Sequence, residues 1–168
     1  MTGPANRGPH PATAKLKSLE ELDDAVRQQQ AAGRQVVFAN GCFDLIHVGH
    51  IRYLEGARAE GDLLVVAINS DASVRKLKGA DRPLMPVAER AEIVAGFEAV
   101  DYVLVFDEET VDSILRRLRP DVHAKGTDYT EETVPERETV LGYGGRIAIV
   151  GDPKDRSTKG FVERIRGG

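Results

Sequence analysis

Continuous apolar runs alternate with amphipathic stretches along most of this chain. Val36-Val37-Phe38-Ala39 and Leu63 to Ile68 have no polar face, as expected of parallel strands covered on both sides. The first strand is predicted at about Gln35 to Ala39, and further strands at Tyr102 to Phe106, Val122 to Ala124 and Arg146 to Val150. Helical patterns fill the intervals. Ser18-Leu19-Glu20-Glu21 is a capping-box pattern that starts a helix with Leu19, Leu22, Ala25 and Val26 on one face, ending at Gly33. Ile51 to Arg58 reads as helix, Gly61-Asp62 as a turn, and Ala72 to Leu77 as a short helix. A polar loop, Lys78 to Pro86, is followed by helices at Val87 to Phe97 and Glu109 to Leu118, the latter stopped by Arg119-Pro120. A loop through Gly126, Asp128 and Pro135 leads to a short helix that ends near Gly142, with Pro135 suited to its first position. After a loop from Gly151 to Arg156, Ser157 starts a C-terminal helix. The alternation predicts an α/β fold: a single Rossmann-like domain over 15–168, with a doubly wound parallel sheet. Residues 1–14, rich in Pro, Gly and Ala, are expected to be a flexible tail.

Composition narrows the function classes. The 168 residues suffice for one domain with a core, and 41% apolar with 30% charged residues is ordinary for a globular protein. A net charge of −4, 5% aromatic residues and no tryptophan argue against a nucleic-acid partner. One cysteine, Cys42, excludes an internal disulfide. No apolar run reaches the ~18–20 residues of a membrane span, and no apolar signal core is present. A cytoplasmic protein without a membrane partner is expected.

The richest chemistry lies in Asn40-Gly41-Cys42-Phe43-Asp44-Leu45-Ile46-His47-Val48-Gly49-His50. It joins the first predicted strand to a helix. Strand ends of open α/β sheets bind ligands, and helix N-termini favour phosphate. Two histidines at that junction add donors able to carry charge near neutral pH. A structural zinc would need four N/S ligands in spaced pairs, and no second Cys/His pair accompanies Cys42, Asp44, His47 and His50. Catalysis at a nucleotide's phosphorus fits better, because such transfer needs positioning and charge stabilisation rather than covalent chemistry. In that reading the glycines let backbone approach the phosphates.

Gly41 to His50 resembles the signature of the HxGH nucleotidyltransferase superfamily. The resemblance narrows through Asn69-Ser70-Asp71-Ala72-Ser73-Val74-Arg75, Leu77-Lys78-Gly79 with Arg82-Pro83, Ala99-Val100-Asp101-Tyr102-Val103 and Lys125-Gly126-Thr127-Asp128-Tyr129. These are similar to the D-glycero-β-D-manno-heptose 1-phosphate adenylyltransferases, which occur alone or as the C-terminal half of a bifunctional heptose kinase/adenylyltransferase. The similarity runs from about Lys15 to Ile165.

The resemblance implies roles. His47, His50 and Lys78 are the catalytic candidates, the lysine closing over phosphates from a mobile loop; Lys76 reads as solvated. Asn40, Gly41, Cys42, Phe43, Asp44, Gly49, Asn69, Asp71, Arg90, Gly126, Asp128, Ser157 and Thr158 are candidates for binding the substrates. Asp44 is expected near the reacting phosphates, by metal or hydrogen bonds. Asp71 reads equally as a helix cap, Arg90 as a helix-surface arginine, Lys125 as a surface residue and Ser157-Thr158 as an N-cap. Lys159 stands where the superfamily commonly has a small hydroxyl residue. Cys42 is expected to be a small buried residue, not a nucleophile. The implied substrates are ATP, with Mg²⁺ bridging its phosphates so that few protein ligands are needed and none is assigned, and heptose 1-phosphate made by a kinase on another chain. The product is a precursor of lipopolysaccharide. A homo-oligomer, dimer or larger, is expected. Alternatives are another nucleotidyltransferase, such as glycerol-3-phosphate cytidylyltransferase, a non-catalytic nucleotide-binding module, and a class I aminoacyl-tRNA synthetase fragment. The short acidic chain, with no anticodon-binding part, argues against the last.

Overall fold

The computed structural model describes residues 11–153 and 158–167. Five parallel strands form one sheet: β1 (Val36–Gly41), β2 (Leu63–Asn69), β3 (Tyr102–Phe106), β4 (Val122–Gly126) and β5 (Arg146–Val150), in the order β3-β2-β1-β4-β5. The helices are α1 (Leu19–Ala31), α2 (Val48–Arg58), α3 (Asp71–Lys78), α4 (Val87–Ala95), α5 (Asp112–Leu118), α6 (Arg137–Gly142) and α7 (Thr158–Arg166). The expected doubly wound architecture is present. The strand order reverses between β1 and β4, which opens a crevice at the strands' C-terminal ends.

Alternation along the strands divides the core. Val37 and Ala39 join Leu64, Val66 and Ile68 on one face, packed with Leu54 of α2 and Ala91 and Val94 of α4. Val36 and Phe38 point the other way, with Val65 and Ala67, against Leu22 and Val26 of α1 and Ile114 and Leu115 of α5. Every residue of β2 is buried, which is why its sequence carries no polar position except the terminal Asn69. Among the described residues, no helix is long and apolar enough to cross a membrane.

A repeated device ties the opposite ends of the strands. Asp62, Asp101 and Asp121 each sit just before a strand and accept a backbone N–H at the start of the neighbouring strand. The donors are Gln35, Leu64 and Val36 respectively, each at 2.8 Å. The aspartate inside Ala99-Val100-Asp101-Tyr102-Val103 is therefore a sheet staple.

Element boundaries differ from expectation in two places that matter. Packing starts before Lys15: Pro11–Lys15 is a 3-10 turn, Ala12 belongs to the core, and the Lys17 amide donates to Val103 O on β3 (2.9 Å). The predicted tail boundary therefore moves back to at least Pro11. Lys78 is not in the loop but on the last turn of α3, which ends at Gly79 with φ 106°, a conformation open to glycine.

Candidate functional site

A cleft of about 1240 Å³ opens at the C-terminal ends of β1, β4 and β5. Of the sequence candidates, Asn40, Gly41, Cys42, Phe43, Asp44, His47, Gly49, His50, Lys78, Gly126 and Asp128 line it. Val162, Glu163 and Arg166 of α7 close one side, where Arg166 Nη2 donates to Asp81 Oδ2 (3.1 Å).

The two histidines build the head of α2. His47 is the N-cap, and its Nδ1 accepts from the Gly49 amide (3.1 Å). His50 is the third helical residue, and its Nδ1 accepts from the His47 amide (3.2 Å). This is a capping box made of imidazoles. Each Nδ1 must offer a lone pair to its amide, which puts the proton of each neutral ring on Nε2. The rings stack with centroids 4.0 Å apart and planes inclined by 35°.

Two glycines of this segment make room for aromatic rings. A Cβ on Gly49 would lie 2.9 Å from His47 ring atoms, and one on Gly41 would lie 3.0 Å from the Phe43 ring. Phe43 is held at φ 49°, a costly conformation for a non-glycine residue, and its ring lies 5.3 Å from that of His50. Gly41 and Phe43 thus hold the chain that presents His50.

Asp44 is 2% exposed, and both of its oxygens are engaged. Oδ2 accepts from Arg82 Nε (2.7 Å), and the Leu84 and Met85 amides donate to Oδ1 at 2.8 and 3.0 Å. Burial disfavours the charged carboxylate, but these two amides and Arg82 outweigh it and hold the carboxyl below its ordinary range. Asp44 therefore anchors the 82–85 loop, and its oxygens are not presented to a metal. Among the described residues no group of three or more His, Cys, Asp or Glu is placed to hold a metal ion.

Asn69, Asp71 and Arg90 do not line the cleft. They form a frame beneath it. The helix-surface reading of Arg90 is overturned, because its side chain is fully buried. Its Nε donates to Met85 O (2.9 Å), Nη1 to Cys42 O (2.7 Å) and Asn69 O (2.8 Å), and Nη2 to Asp71 Oδ1 (2.7 Å). One guanidinium thus ties the ends of β1 and β2 to α3 and α4. The same Asp71 oxygen accepts the Val87 amide (2.9 Å), capping α4, whose N-cap Pro86 has no side chain able to do so. Asp71 is a helix cap as one sequence reading held, but of α4 rather than its own helix. Ser70 caps α3. Asn69 donates Nδ2 to Ser73 Oγ (2.9 Å). Burial raises the Cys42 thiol above its ordinary pKa, with Asp44 adding to the effect and Lys78, Arg90 and Arg82 opposing it. Cys42 stays a neutral thiol.

The structure also brings in residues that carried no predicted role. Arg82 lines the cleft, and its Nη2 is buried without a hydrogen-bond partner. Lys125 is not on the surface. Its Nζ lies 3.4 Å from Glu136 and 4.8 Å above the Tyr129 ring, on the cleft wall. Tyr53 reaches across from α2 and donates to Ala124 O (2.8 Å). His123 on β4 is fully buried, and its Nε2 lies 3.1 Å from Asn40 Oδ1. Arg82 and Lys125 had a signal in the sequence, as cations inside motif-like segments. His123, inside an apolar strand, had none. Ser157 lies outside the described residues, as do the side chains of Thr158, the first residue of α7, and Lys159.

Comparison with known proteins supports this geometry. Residues 38–156 match the cytidylyltransferase-like family model. The bifunctional protein HldE of Geotalea uraniireducens is 51% identical over 95% of this chain and 33% of its own length. That of Pseudomonas paraeruginosa is 47% identical over 88% of this chain and 31% of its own. The chain spans about a third of the length of these curated relatives. A lipopolysaccharide core biosynthesis protein from Thermoplasma volcanium superposes with TM-score 0.63 at 26% identity, covering 73% of this chain and all of that one. A pantoate-beta-alanine ligase from Francisella tularensis shares the fold alone, with TM-score 0.58 at 13% identity over 86% of this chain and 69% of that one. The family match starts inside β1 and runs past the end of β5, through the histidine segment and most of the cleft wall, so the chain belongs to the cytidylyltransferase-like family of HxGH nucleotidyltransferases.

Proposed function

We propose that the protein transfers AMP from ATP to D-glycero-β-D-manno-heptose 1-phosphate, releasing pyrophosphate and forming ADP-heptose for lipopolysaccharide core synthesis. The observation that carries this reading is the imidazole capping box. It puts two Nε2–H donors at the head of a helix, in the crevice where such sheets bind nucleotides. The choice of acceptor is supported by the similarity to the HldE proteins and by the five motif-like segments.

An oxygen of the sugar phosphate attacks the α-phosphorus in line. The bond to the β-phosphate oxygen breaks, and that oxygen leaves on pyrophosphate. No enzyme nucleophile is needed, in keeping with a protonated Cys42. His47 and His50 stabilise charge growing on the α-phosphate and bridging oxygen. Lys78, at the end of α3, and Arg82, on the cleft wall, hold the β and γ phosphates. Gly126 and Asp128 line the nucleotide or sugar pocket, and Ser157 and Thr158 retain their proposed contact with the triphosphate. Arg90, Asp71 and Asn69 act at one remove, as the frame. Mg²⁺ arrives as part of MgATP and neutralises phosphate charge. A sugar kinase activity must supply the acceptor, and we place the reaction in the cytoplasm.

The test is pyrophosphate release with Mg²⁺ and heptose 1-phosphate, comparing ATP with CTP. Release with ATP alone is expected. Release with CTP alone overturns the nucleotide assignment. Release with neither, but with ATP and glycerol 3-phosphate, overturns the acceptor.

A further inference from the structure

Asn40 follows the buried part of β1 and lines the cleft. An asparagine carboxamide can turn either its oxygen or its nitrogen toward a ligand, and the two choices have opposite chemistry. The structure supplies a reason for one of them. His123 pairs in register with Phe38, so Asn40, two residues on, shares its face as a diagonal neighbour. The His123 ring is fully buried, lies edge-on to Phe38 with centroids 5.7 Å apart, and reaches Asn40 Oδ1 at 3.1 Å through Nε2. Its Nδ1 has no hydrogen-bond partner. A proton on Nδ1 would strand a buried donor while Nε2 became an acceptor. A proton on Nε2 leaves only an unfilled lone pair and makes the observed contact a hydrogen bond, which is the cheaper arrangement. Burial, reinforced by the charge of Lys125, lowers the ring's pKa to about 3, so it stays neutral in working conditions.

We infer that His123 is a positioning residue: by donating to Asn40 Oδ1 it locks the carboxamide with Nδ2 toward the cleft, where it donates to a phosphate oxygen of the nucleotide. A donor suits that ligand, and the reversed amide would present a repelling oxygen. The assignment rests on the adenylyltransferase reading for its ligand. It predicts that a residue out of reach of the substrate tunes nucleotide affinity through a single contact.

The experiment measures MgATP binding by calorimetry, together with melting temperature, for Asn40→Ala, His123→Leu, His123→Gln and the Asn40→Ala/His123→Leu pair. Leucine removes the donor while keeping apolar volume. Glutamine carries an amide nitrogen at about the reach of Nε2. His123→Leu is expected to weaken MgATP binding about 10-fold without lowering the melting temperature, because the unpartnered Nδ1 goes with the ring. Glutamine is expected to restore most of the affinity. The double variant is expected to bind no more weakly than Asn40→Ala alone. Wild-type affinity in His123→Leu, or a His123→Leu penalty that adds in full to that of Asn40→Ala, overturns the inference. Equal losses in the leucine and glutamine variants, with lowered melting temperatures, overturn it too, since they mark plain packing. Failure of the wild type to bind MgATP overturns the functional reading together with this assignment, whereas wild-type binding with an unaffected His123→Leu variant overturns this assignment alone.

Discussion

The α2 wall of the cleft and the frame beneath it use polar side chains in opposite ways. On the α2 side, His47 and His50 are oriented by backbone amides through Nδ1 at the mouth of the cleft. On the α3–α4 side, Arg90 spends four hydrogen bonds on Met85, Cys42, Asn69 and Asp71, and Asp44 gives both oxygens to the 82–85 loop. A charged group in a motif is therefore not by itself a ligand contact. Its accessible atoms decide whether it acts on substrate or holds the wall that others act from.

The sharpest break of this comparison is Arg90→Met. It leaves three carbonyls and the Asp71 carboxylate without their cation. Losing one partner of a buried ionic network costs about 3–5 kcal/mol. Chemical denaturation should show a loss of that size, and Arg90→Lys should not rescue it, because a point charge cannot serve four directions. If Arg90→Met melts like the wild type but loses nucleotide affinity, the wall is functional after all. On the opposite side, His50→Ala should lower kcat by ~10²–10³ with a small change in stability. Near-wild-type turnover in that variant rules out the proposed role.

What was legible in the sequence follows the same division. The sheet, its parallel sense and the histidine junction were readable because continuous apolar runs and a strand-to-helix switch are local patterns. The function of Arg90 was not, since it rests on four partners from three separate segments. Val87 to Phe97 shows an arginine beside apolar residues, and nothing in that spacing tells a buried arginine from a surface one. His123 was hidden for a related reason: it looks like a flaw in a short apolar strand until β4 is registered against β1. The ring contacts at Gly41 and Gly49 were not readable either, because they depend on where the Phe43 and His47 rings fall in the fold. Asp71 shows the reverse case, a cap recognised by type and attached to a different helix.

The buried histidine also gives the contrast a pH signature. The folded pKa of His123, about 3, lies below the value of an ordinary histidine, so the unfolded chain binds the extra proton as pH falls. Its share of stability is complete above about pH 6.5. Below that pH it is lost at up to ~1.4 kcal/mol per unit until the folded ring titrates. Asp44, whose folded pKa is lowered, contributes stability above the ordinary carboxylate value and loses it only in stronger acid. The difference in unfolding free energy between wild type and His123→Leu, measured from pH 7 to pH 5, should therefore move steadily toward the leucine variant. A difference that does not change with pH means that the folded ring takes up its proton as an ordinary histidine does, and then burial does not keep it the neutral donor that holds Asn40.

Lys78 sharpens the comparison at its weakest point, since it belongs by position to the framework wall and by exposure to the reactive one. It is solvent-exposed at the end of α3, lines the cleft, and is followed by Gly79 in a backbone conformation that lets the chain turn away. No framework bond is lost with it, so Lys78→Ala should leave the melting temperature within a degree or two of wild type. Its effect should fall on the nucleotide, as a rise of about 10-fold in KM for ATP. That rise should shrink as salt increases, because an exposed cation is screened from a phosphate where a buried one is not. A salt-independent loss would mean that Lys78 is desolvated in the complex, with the 79–85 segment closing over it. Unchanged KM and kcat would leave Arg82 as the cation on that side of the cleft, and would move the boundary between framework and chemistry from the end of α3 into the loop that Asp44 anchors.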